Sequence, residues 1–142
     1  MTREHDECVK KGKIKPFSRG KALAPKELET ARSDMERARK TCDEGDHKWA
    51  TVQTYYSMFH SARALLYLKN LREHSHYCLI AAIKTLYVEP GLMPENLLDA
   101  LQEAKNLREE ADYYSRWSEA GCRKLLKLAE EFLDKTEQLV KG

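Results

Sequence analysis

Apolar residues at helical spacing are densest from Trp49 to Leu68, a segment without glycine or proline. Helical spacing places its large apolar side chains on one face. The residues of this predicted core face are Trp49, Val52, Tyr55, Phe59 and Leu66. A more polar row beside it contains Gln53, Tyr56, His60, Arg63 and Tyr67. The segment is therefore predicted to be the central helix of a bundle, the wall of a site, or both.

The same periodicity predicts further helices on both sides of this segment. With the central helix, the predicted helices cover residues 2–11, 25–42, 46–69, 76–88, 95–114 and 118–140. Thr2, Asp46 and Ser75 are expected to be N-caps. Pro25 is expected in the first turn of its helix, after an arm or loop at residues 12–24.

The connections between the predicted main helices are short, so successive helices should pack antiparallel. No segment alternates at a period of two for long enough to predict a strand. The predicted fold is all-α, with an up-and-down four-helix bundle at residues 25–142. A basic N-terminal arm with a short helix is expected at residues 1–24.

Charge is unevenly distributed, although the formal net charge is only +2. Residues 1–25 carry seven Lys or Arg and three acidic residues, which is +4, so the remainder carries −2. A basic arm can contact phosphates without reading base sequence, although a solvated leader has the same composition. No window is apolar enough to span a membrane, and the charged N-terminus is unlike a signal peptide. A cytoplasmic protein with no membrane association is therefore expected.

Cysteine and histidine spacing gives no metal motif. The four cysteines form no C-x-x-C pair and are Cys8, Cys42, Cys78 and Cys122. Reduced, partly buried thiols are their expected state. His74 and His76 do not share a helix face well, so His76 is expected to hydrogen-bond a neighbouring helix instead. Neither a metal nor a cofactor is predicted.

Arg108 is the most informative residue in a chain without the common catalytic motifs. It lies seven residues after Leu101 and continues an apolar face, where a guanidinium must be paired or line a cleft. Asp112 is one turn later and can pair with it, and Tyr113 is adjacent. One interpretation is a buried ion pair between helices. The other is a cationic site for a phosphate of a nucleotide or RNA.

His60 is a second candidate, because it lies near the core, one turn after Tyr56 and close to Arg63. One interpretation is a histidine that ties two helices together through its ring. The other is a titratable group of a site. Tyr55 and Tyr56 are more often core rings with tethered hydroxyls than catalytic groups.

Residues 55–66, YYSMFHSARALL, resemble the Y-Y-x-x-F-H-x-A-[RK]-A-L-L signature of the HEPN domain family. Ser75-His76 and Arg108-x-x-Ala111-Asp112-Tyr113 follow in the order that this family shows. The resemblance covers roughly residues 25–140 and is nearest to small stand-alone HEPN proteins of archaea and bacteria.

The resemblance implies a helical bundle that is usually a homodimer, often encoded beside a minimal nucleotidyltransferase in a toxin–antitoxin-like system. Active members are metal-independent RNases that use an R-x4-6-H motif across two protomers. Arg108 matches the arginine, but Tyr113, Tyr114 and Ser115 stand where the histidine is expected. Without that imidazole, general acid–base catalysis loses about a hundredfold or more. The incomplete motif favours binding over catalysis.

Three functions remain open. The first is a dimeric binding protein for nucleotide, RNA or a nucleotidyltransferase partner. Its ligand-binding candidates are Arg108, Asp112, Tyr113, His60, Arg63 and Tyr56. The second is an RNase toxin with a variant site, in which His60, His76 or a histidine of the second protomer replaces the missing one. The third is a non-catalytic adaptor bundle.

Overall fold

A computed structural model describes residues 2–142 of the protein. Six α-helices and two short strands make up this part of the chain. They are α1 (Arg3–Lys10), β1 (Ile14–Pro16), α2 (Gly20–Asp43), α3 (His47–Leu68), β2 (Leu71–Glu73), α4 (His76–Ile83), α5 (Glu95–Tyr114) and α6 (Glu119–Lys141). The predicted all-α class is therefore confirmed.

Local capping sets most helix starts. The side chains of Thr2, Asp46, Ser75 and Ser118 each accept a hydrogen bond from the backbone N–H three residues later. Such a bond satisfies one of the N–H groups that have no partner inside the helix. The predicted N-caps at Thr2, Asp46 and Ser75 are confirmed.

The start of α2 differs from the prediction. The helix begins at Gly20, so Pro25 lies inside it and not in its first turn. Gly20 is buried against the end of α3, and a Cβ atom there would lie 2.5 Å from the carbonyl oxygen of Tyr67. This close approach requires glycine at Gly20. It fixes the start of α2 against α3, in a segment that the sequence predicts to be a loop.

A small antiparallel sheet joins the N-terminal segment to the bundle. Ile14 pairs with Glu73 and Pro16 pairs with Leu71, so the expectation that the chain has no strand is wrong. Strands of three residues are too short to show an alternating pattern, and their partners are distant in sequence. The segment predicted as an arm or loop at residues 12–24 therefore contains β1 and the start of α2.

A disulfide between Cys8 of α1 and Cys78 of α4 holds the same segment covalently. The expected reduced state is therefore wrong for these two cysteines. They are 70 residues apart in sequence, and only the packing of α1 against α4 brings their Cα atoms to 5.7 Å. Cys42 and Cys122 are free and buried, as predicted.

The hydrophobic core surrounds α3, which contacts α2, α4, α5 and α6. Four of the five predicted core residues of α3 are buried: Val52, Tyr55, Phe59 and Leu66. Trp49 is 51% exposed, so its assignment to the core is wrong. It lies four and seven residues before Gln53 and Tyr56, on the partly exposed row of α3 and not on its core face. None of the helices in residues 2–142 is long and apolar enough to cross a bilayer.

A π-helical turn, Lys84–Val88, continues α4 without a break. Its Tyr87 is 1% exposed and donates a hydrogen bond to the carbonyl oxygen of Leu65 on α3. Burial raises the pKa of Tyr87, so the phenol stays protonated and keeps this donor. The turn thus fixes the end of α4 against the central helix.

Candidate functional site

Arg108 lies between solvent and core, at the point where α5 faces α3. Its side chain is 22% exposed, and its Nε is 3.2 Å from Asp112 Oδ2, which confirms the predicted pairing. Nη2 donates to Tyr56 Oη at 3.4 Å. The guanidinium carbon is 5.6 Å from the ring centre of Tyr55 and 5.7 Å from that of Tyr56. The electron-rich faces of the two rings attract the guanidinium cation. Packing against the rings also restricts the orientation of the guanidinium plane.

The Nε–H of Arg108 is buried and has no hydrogen-bond acceptor among residues 2–142. The contact with Asp112 is thus an ion pair without hydrogen-bond geometry. A guanidinium has five N–H donors, and the contacts within this cluster occupy few of them. The buried Nε–H is closed to solvent, so the donors left for an external oxygen ligand are those of the Nη groups.

His76 of α4 also belongs to this cluster, through its contacts with Tyr55. Its Nδ1 is hydrogen-bonded to Tyr55 Oη, which confirms the predicted bond to a neighbouring helix. The imidazole also stacks on Tyr55 and on Phe59, with ring centres 5.7 Å and 4.8 Å apart. We call the group Tyr55, Tyr56, His76, Arg108 and Asp112 the tyrosine–arginine cluster.

The electrostatics of this cluster favour a neutral imidazole. Burial lowers the pKa of His76, and the positive charges of Arg108 and Lys105 lower it further. Burial raises the pKa of Tyr55, so its phenol is protonated at neutral pH. The phenol donates to Nδ1 when the imidazole proton is on Nε2, and it accepts from Nδ1–H when the proton is on Nδ1.

His60 and Arg63 lie in a second group that includes acidic residues of α2 and β2. His60 Nδ1 is 2.6 Å from Glu27 Oε2, and its Nε2 is 4.0 Å from Asp34 Oδ2. Arg63 Nη2 donates to Glu73 Oε2 at 2.9 Å. His60 therefore ties α3 to α2, which is the first of its two interpretations. We call these five residues the acidic cluster.

Phe59 lies between the two clusters and contacts both. Its ring stacks on His76, packs edge-on against His60 at 5.4 Å, and lies 4.5 Å from the guanidinium carbon of Arg63. No hydrogen bond or ion pair within residues 2–142 joins His60 or Arg63 directly to Arg108. The candidates predicted from sequence are thus divided between two neighbouring clusters that share one aromatic ring.

Tyr113, also a predicted candidate, is 71% exposed. It makes no side-chain hydrogen bond to the tyrosine–arginine cluster within the described part of the chain. Glu27 and Glu73 were missed from the sequence. Both are acidic residues in charged surroundings, and only the packing of α2 and β2 on α3 distinguishes them.

A third group of reactive side chains lies where α2, α3 and α6 end or begin. Cys42, His47 and Cys122 each place a ligand-type atom within 4.8 Å of the others. Sequence spacing predicts no metal ligands here, because Cys122 is 80 residues from Cys42. The only local signal was a histidine five residues after a cysteine, across the Gly45 turn.

An all-α bundle whose central helix carries the YYSMFHSARALL sequence, with Arg108 facing that helix, defines a recognisable class of protein. A family model described as HEPN domain matches residues 24–139. The chain belongs to this family, which confirms the resemblance seen in the sequence.

Three archaeal relatives are similar to this chain. A candidate toxin of Methanocaldococcus jannaschii is 29% identical over 115 residues, which cover 80% of this chain and 86% of the relative. A UPF0332 protein of Archaeoglobus fulgidus is 33% identical over 105 residues, which cover 72% and 83%. A second candidate toxin of M. jannaschii is 26% identical over 86 residues, which cover 61% and 58%.

Replacing His76 with glutamine is expected to weaken the pH dependence of stability in mild acid. The folded pKa of His76 lies below the unfolded value of about 6.5. Stability from the neutral imidazole is therefore present above about pH 6.5 and is lost as pH falls through the folded pKa. Urea midpoints of wild type and His76→Gln between about pH 8 and pH 5 measure this difference.

His74→Gln is the matched control for this comparison, because His74 is exposed and only two positions away. It should retain the wild-type slope of stability against pH. An unchanged slope in His76→Gln, or an equal change in His74→Gln, would contradict the assignment.

Proposed function

We propose that this chain is a toxin-type HEPN protein that binds a phosphate group of RNA or of a nucleotide at the tyrosine–arginine cluster. The observation that carries the proposal is the partly buried Arg108 guanidinium, held near two tyrosine rings, whose Nη groups make one hydrogen bond within residues 2–142. Phosphate oxygens are preferred acceptors for a guanidinium. The two relatives named as candidate toxins support the toxin part of the proposal.

Tyr56 supplies a second means of contacting a nucleic acid. Its side chain is 37% exposed, and its hydroxyl is already oriented toward Arg108. Unstacked bases of single-stranded RNA bind aromatic side chains by stacking, and the phosphate binds arginine. The pair Tyr56 and Arg108 therefore fits a nucleotide with its phosphate and its base side by side.

Asp112 opposes this binding, because its carboxylate already neutralises Arg108. An incoming phosphate must displace or share that contact. The negative charge of Asp112 should therefore lower the affinity for phosphate. Removing this charge should raise that affinity, whereas removing Arg108 should lower it.

The proposed assembly is a homodimer that acts with a minimal nucleotidyltransferase as partner. Support comes from family membership and from the relatives named as candidate toxins. Co-purification of a tagged chain with a co-expressed nucleotidyltransferase encoded beside it tests the partner. Light scattering of the purified chain tests the dimer.

Arg108→Ala is expected to weaken binding of a labelled single-stranded RNA by about tenfold or more, since a hydrogen bond to a charged group contributes about 1.5–3 kcal/mol. Asp112→Asn should strengthen binding, because it removes a competing negative charge. Fluorescence anisotropy at fixed, low salt measures both effects. Arg39→Ala removes the same charge from the partly exposed α2 surface and should change affinity little.

Equal affinities of wild type, Arg108→Ala and Asp112→Asn, all folded by circular dichroism, would remove the basis for this site. If association with the nucleotidyltransferase were also unchanged in Arg108→Ala, the proposed function would be wrong. A weakening that Arg39→Ala reproduces would indicate general charge attraction and not a site.

A second candidate function, metal-independent RNA cleavage, is favoured by one specific observation. His76 is held as a neutral imidazole in the same cluster as Arg108, although it lies outside the usual sequence position. When its proton is on Nδ1 and is donated to Tyr55 Oη, the neutral imidazole can accept a proton from a ribose hydroxyl at Nε2. The RNA from the binding experiment, incubated with chelator and sized on a gel, tests this. Cleavage lost in both Arg108→Ala and His76→Gln would favour an RNase, and intact RNA would exclude it.

A further inference from the structure

Two thiols and an imidazole come together at the N-terminal end of α3, where α2 ends and α6 begins. Cys42 lies in the last turn of α2, His47 is the first residue of α3, and Cys122 is in the first turn of α6. Cys42 Sγ is 3.5 Å from Cys122 Sγ and 3.6 Å from His47 Nδ1. Both cysteines are 1% exposed, and the His47 side chain is 18% exposed.

Both of these separations are close to the edges of a tetrahedral metal site, and the remaining pair, His47 and Cys122, lies within 4.8 Å. With Zn–S bonds of about 2.3 Å and Zn–N bonds of about 2.0–2.1 Å, tetrahedral angles place two sulfurs about 3.8 Å apart. The same bonds place sulfur and nitrogen about 3.6 Å apart. The Cys42–Cys122 and Cys42–His47 distances therefore need to change by only a few tenths of an ångström.

We propose that Cys42, His47 and Cys122 form a Zn²⁺ site, with His47 binding through Nδ1. The two thiols release their protons to solvent as the ion binds, so two thiolates balance the charge of Zn²⁺. Softer sulfur ligands with one imidazole favour zinc over magnesium or calcium. The partly exposed side of His47 leaves the fourth position to water or to a carboxylate.

The surroundings of His47 suit this role. Its other ring nitrogen, Nε2, lies 3.9 Å from Glu119 Oε2, on the first residue of α6. A carboxylate on the far nitrogen of a ligating histidine orients the ring and raises its basicity. Glu119 is itself held by Arg123 Nε at 3.2 Å. The chain thus supplies three ligands and a nearby carboxylate that would accept the Nε2–H after a small side-chain movement.

The site would join the ends of three helices that also pack on one another in the core. Cys42 and His47 flank the turn between α2 and α3, and Cys122 anchors the start of α6 to that turn. Binding energy for the ion adds to the free energy of folding, because the unfolded chain does not hold the three ligands together. Zinc should therefore stabilise the folded chain.

A second disulfide between Cys42 and Cys122 is the competing outcome, since their sulfurs are already close. The two outcomes differ in their use of His47, which a disulfide does not need. His47→Gln is therefore the informative variant. His47 is at a helix start with its side chain partly exposed, so the variant should fold even if Cys42→Ser does not.

The test uses the full chain, purified anaerobically without reductant so that the Cys8–Cys78 disulfide stays intact, then stripped with chelator. Titration with Co²⁺ should give a thiolate-to-cobalt charge-transfer band and tetrahedral visible bands that saturate at about one ion per chain. Added Zn²⁺ should abolish these bands and raise the melting temperature. His47→Gln should bind at least about tenfold more weakly, whereas the exposed His74→Gln should match wild type.

Three results would overturn the proposal. The first is the absence of a charge-transfer band in protein whose Cys42 and Cys122 are free thiols by mass spectrometry. The second is equal Co²⁺ affinity in wild type and His47→Gln. The third is a Cys42–Cys122 disulfide in the anaerobically purified chain, found by peptide mapping.

Discussion

Replacing both Cys8 and Cys78 with alanine is expected to lower the free energy of unfolding by about 4 kcal/mol. The disulfide closes a loop between residues 70 apart, so its loss greatly enlarges the unfolded ensemble. Both cysteines are almost fully buried, and alanine keeps the site apolar. Guanidinium denaturation of wild type and the double variant under non-reducing conditions measures the difference.

Reductant provides the matched control for this experiment. It should lower the midpoint of wild type toward that of the double variant and leave the variant unchanged. Hydrogen exchange should show α1 and β1 losing protection first, because α1 otherwise contacts mainly α4 and β1. Equal stability of wild type and variant without reductant would contradict the assigned disulfide.

Phe59→Ala is expected to lower the free energy of unfolding by about 3–5 kcal/mol, the usual cost of removing a buried phenylalanine ring. Phe59 is 8% exposed and packs on His76, His60 and Arg63. Its loss leaves a cavity between the two clusters and removes the support of the imidazole. Folded Phe59→Ala should therefore also bind RNA more weakly than wild type.

Phe132→Ala separates the loss of stability from the loss of RNA binding. Phe132 is fully buried on α6 and makes no ring contact with either cluster, so its removal should cost similar stability. Its RNA affinity, measured where each variant is fully folded, should remain that of wild type. Equal RNA affinities of the two alanine variants would show that Phe59 supports the core and not the tyrosine–arginine cluster.

Features set by neighbours in sequence could be predicted well. Helical periodicity and capping residues located the helices, and the spacing of Arg108 and Asp112 by one turn predicted their ion pair. The bond from His76 to another helix was also predictable, because a polar ring in the first turn of an apolar helix needs a partner. These inferences depend only on helix geometry.

Features set by packing between distant segments could not be predicted. His60 reaches Glu27 because α2 crosses α3 at that position, and the sequence does not reveal the crossing. The proximity of Cys42 to Cys122 likewise depends on how α6 returns to the turn after α2. The assignment of Trp49 to the core was wrong for a different reason, because its spacing also fits the polar row that contains Gln53 and Tyr56.

The π-helical turn at Lys84–Val88 affects how this chain should be aligned with its relatives. Such a turn corresponds to one residue inserted into an α-helix, and each inserted residue rotates the remainder of the helix by about 100°. Without the extra residue, Tyr87 would not face the Leu65 carbonyl. A gap of one position placed within residues 84–88 is therefore physically reasonable, whereas the same gap within α3 would shift the YYSMFHSARALL residues onto different faces.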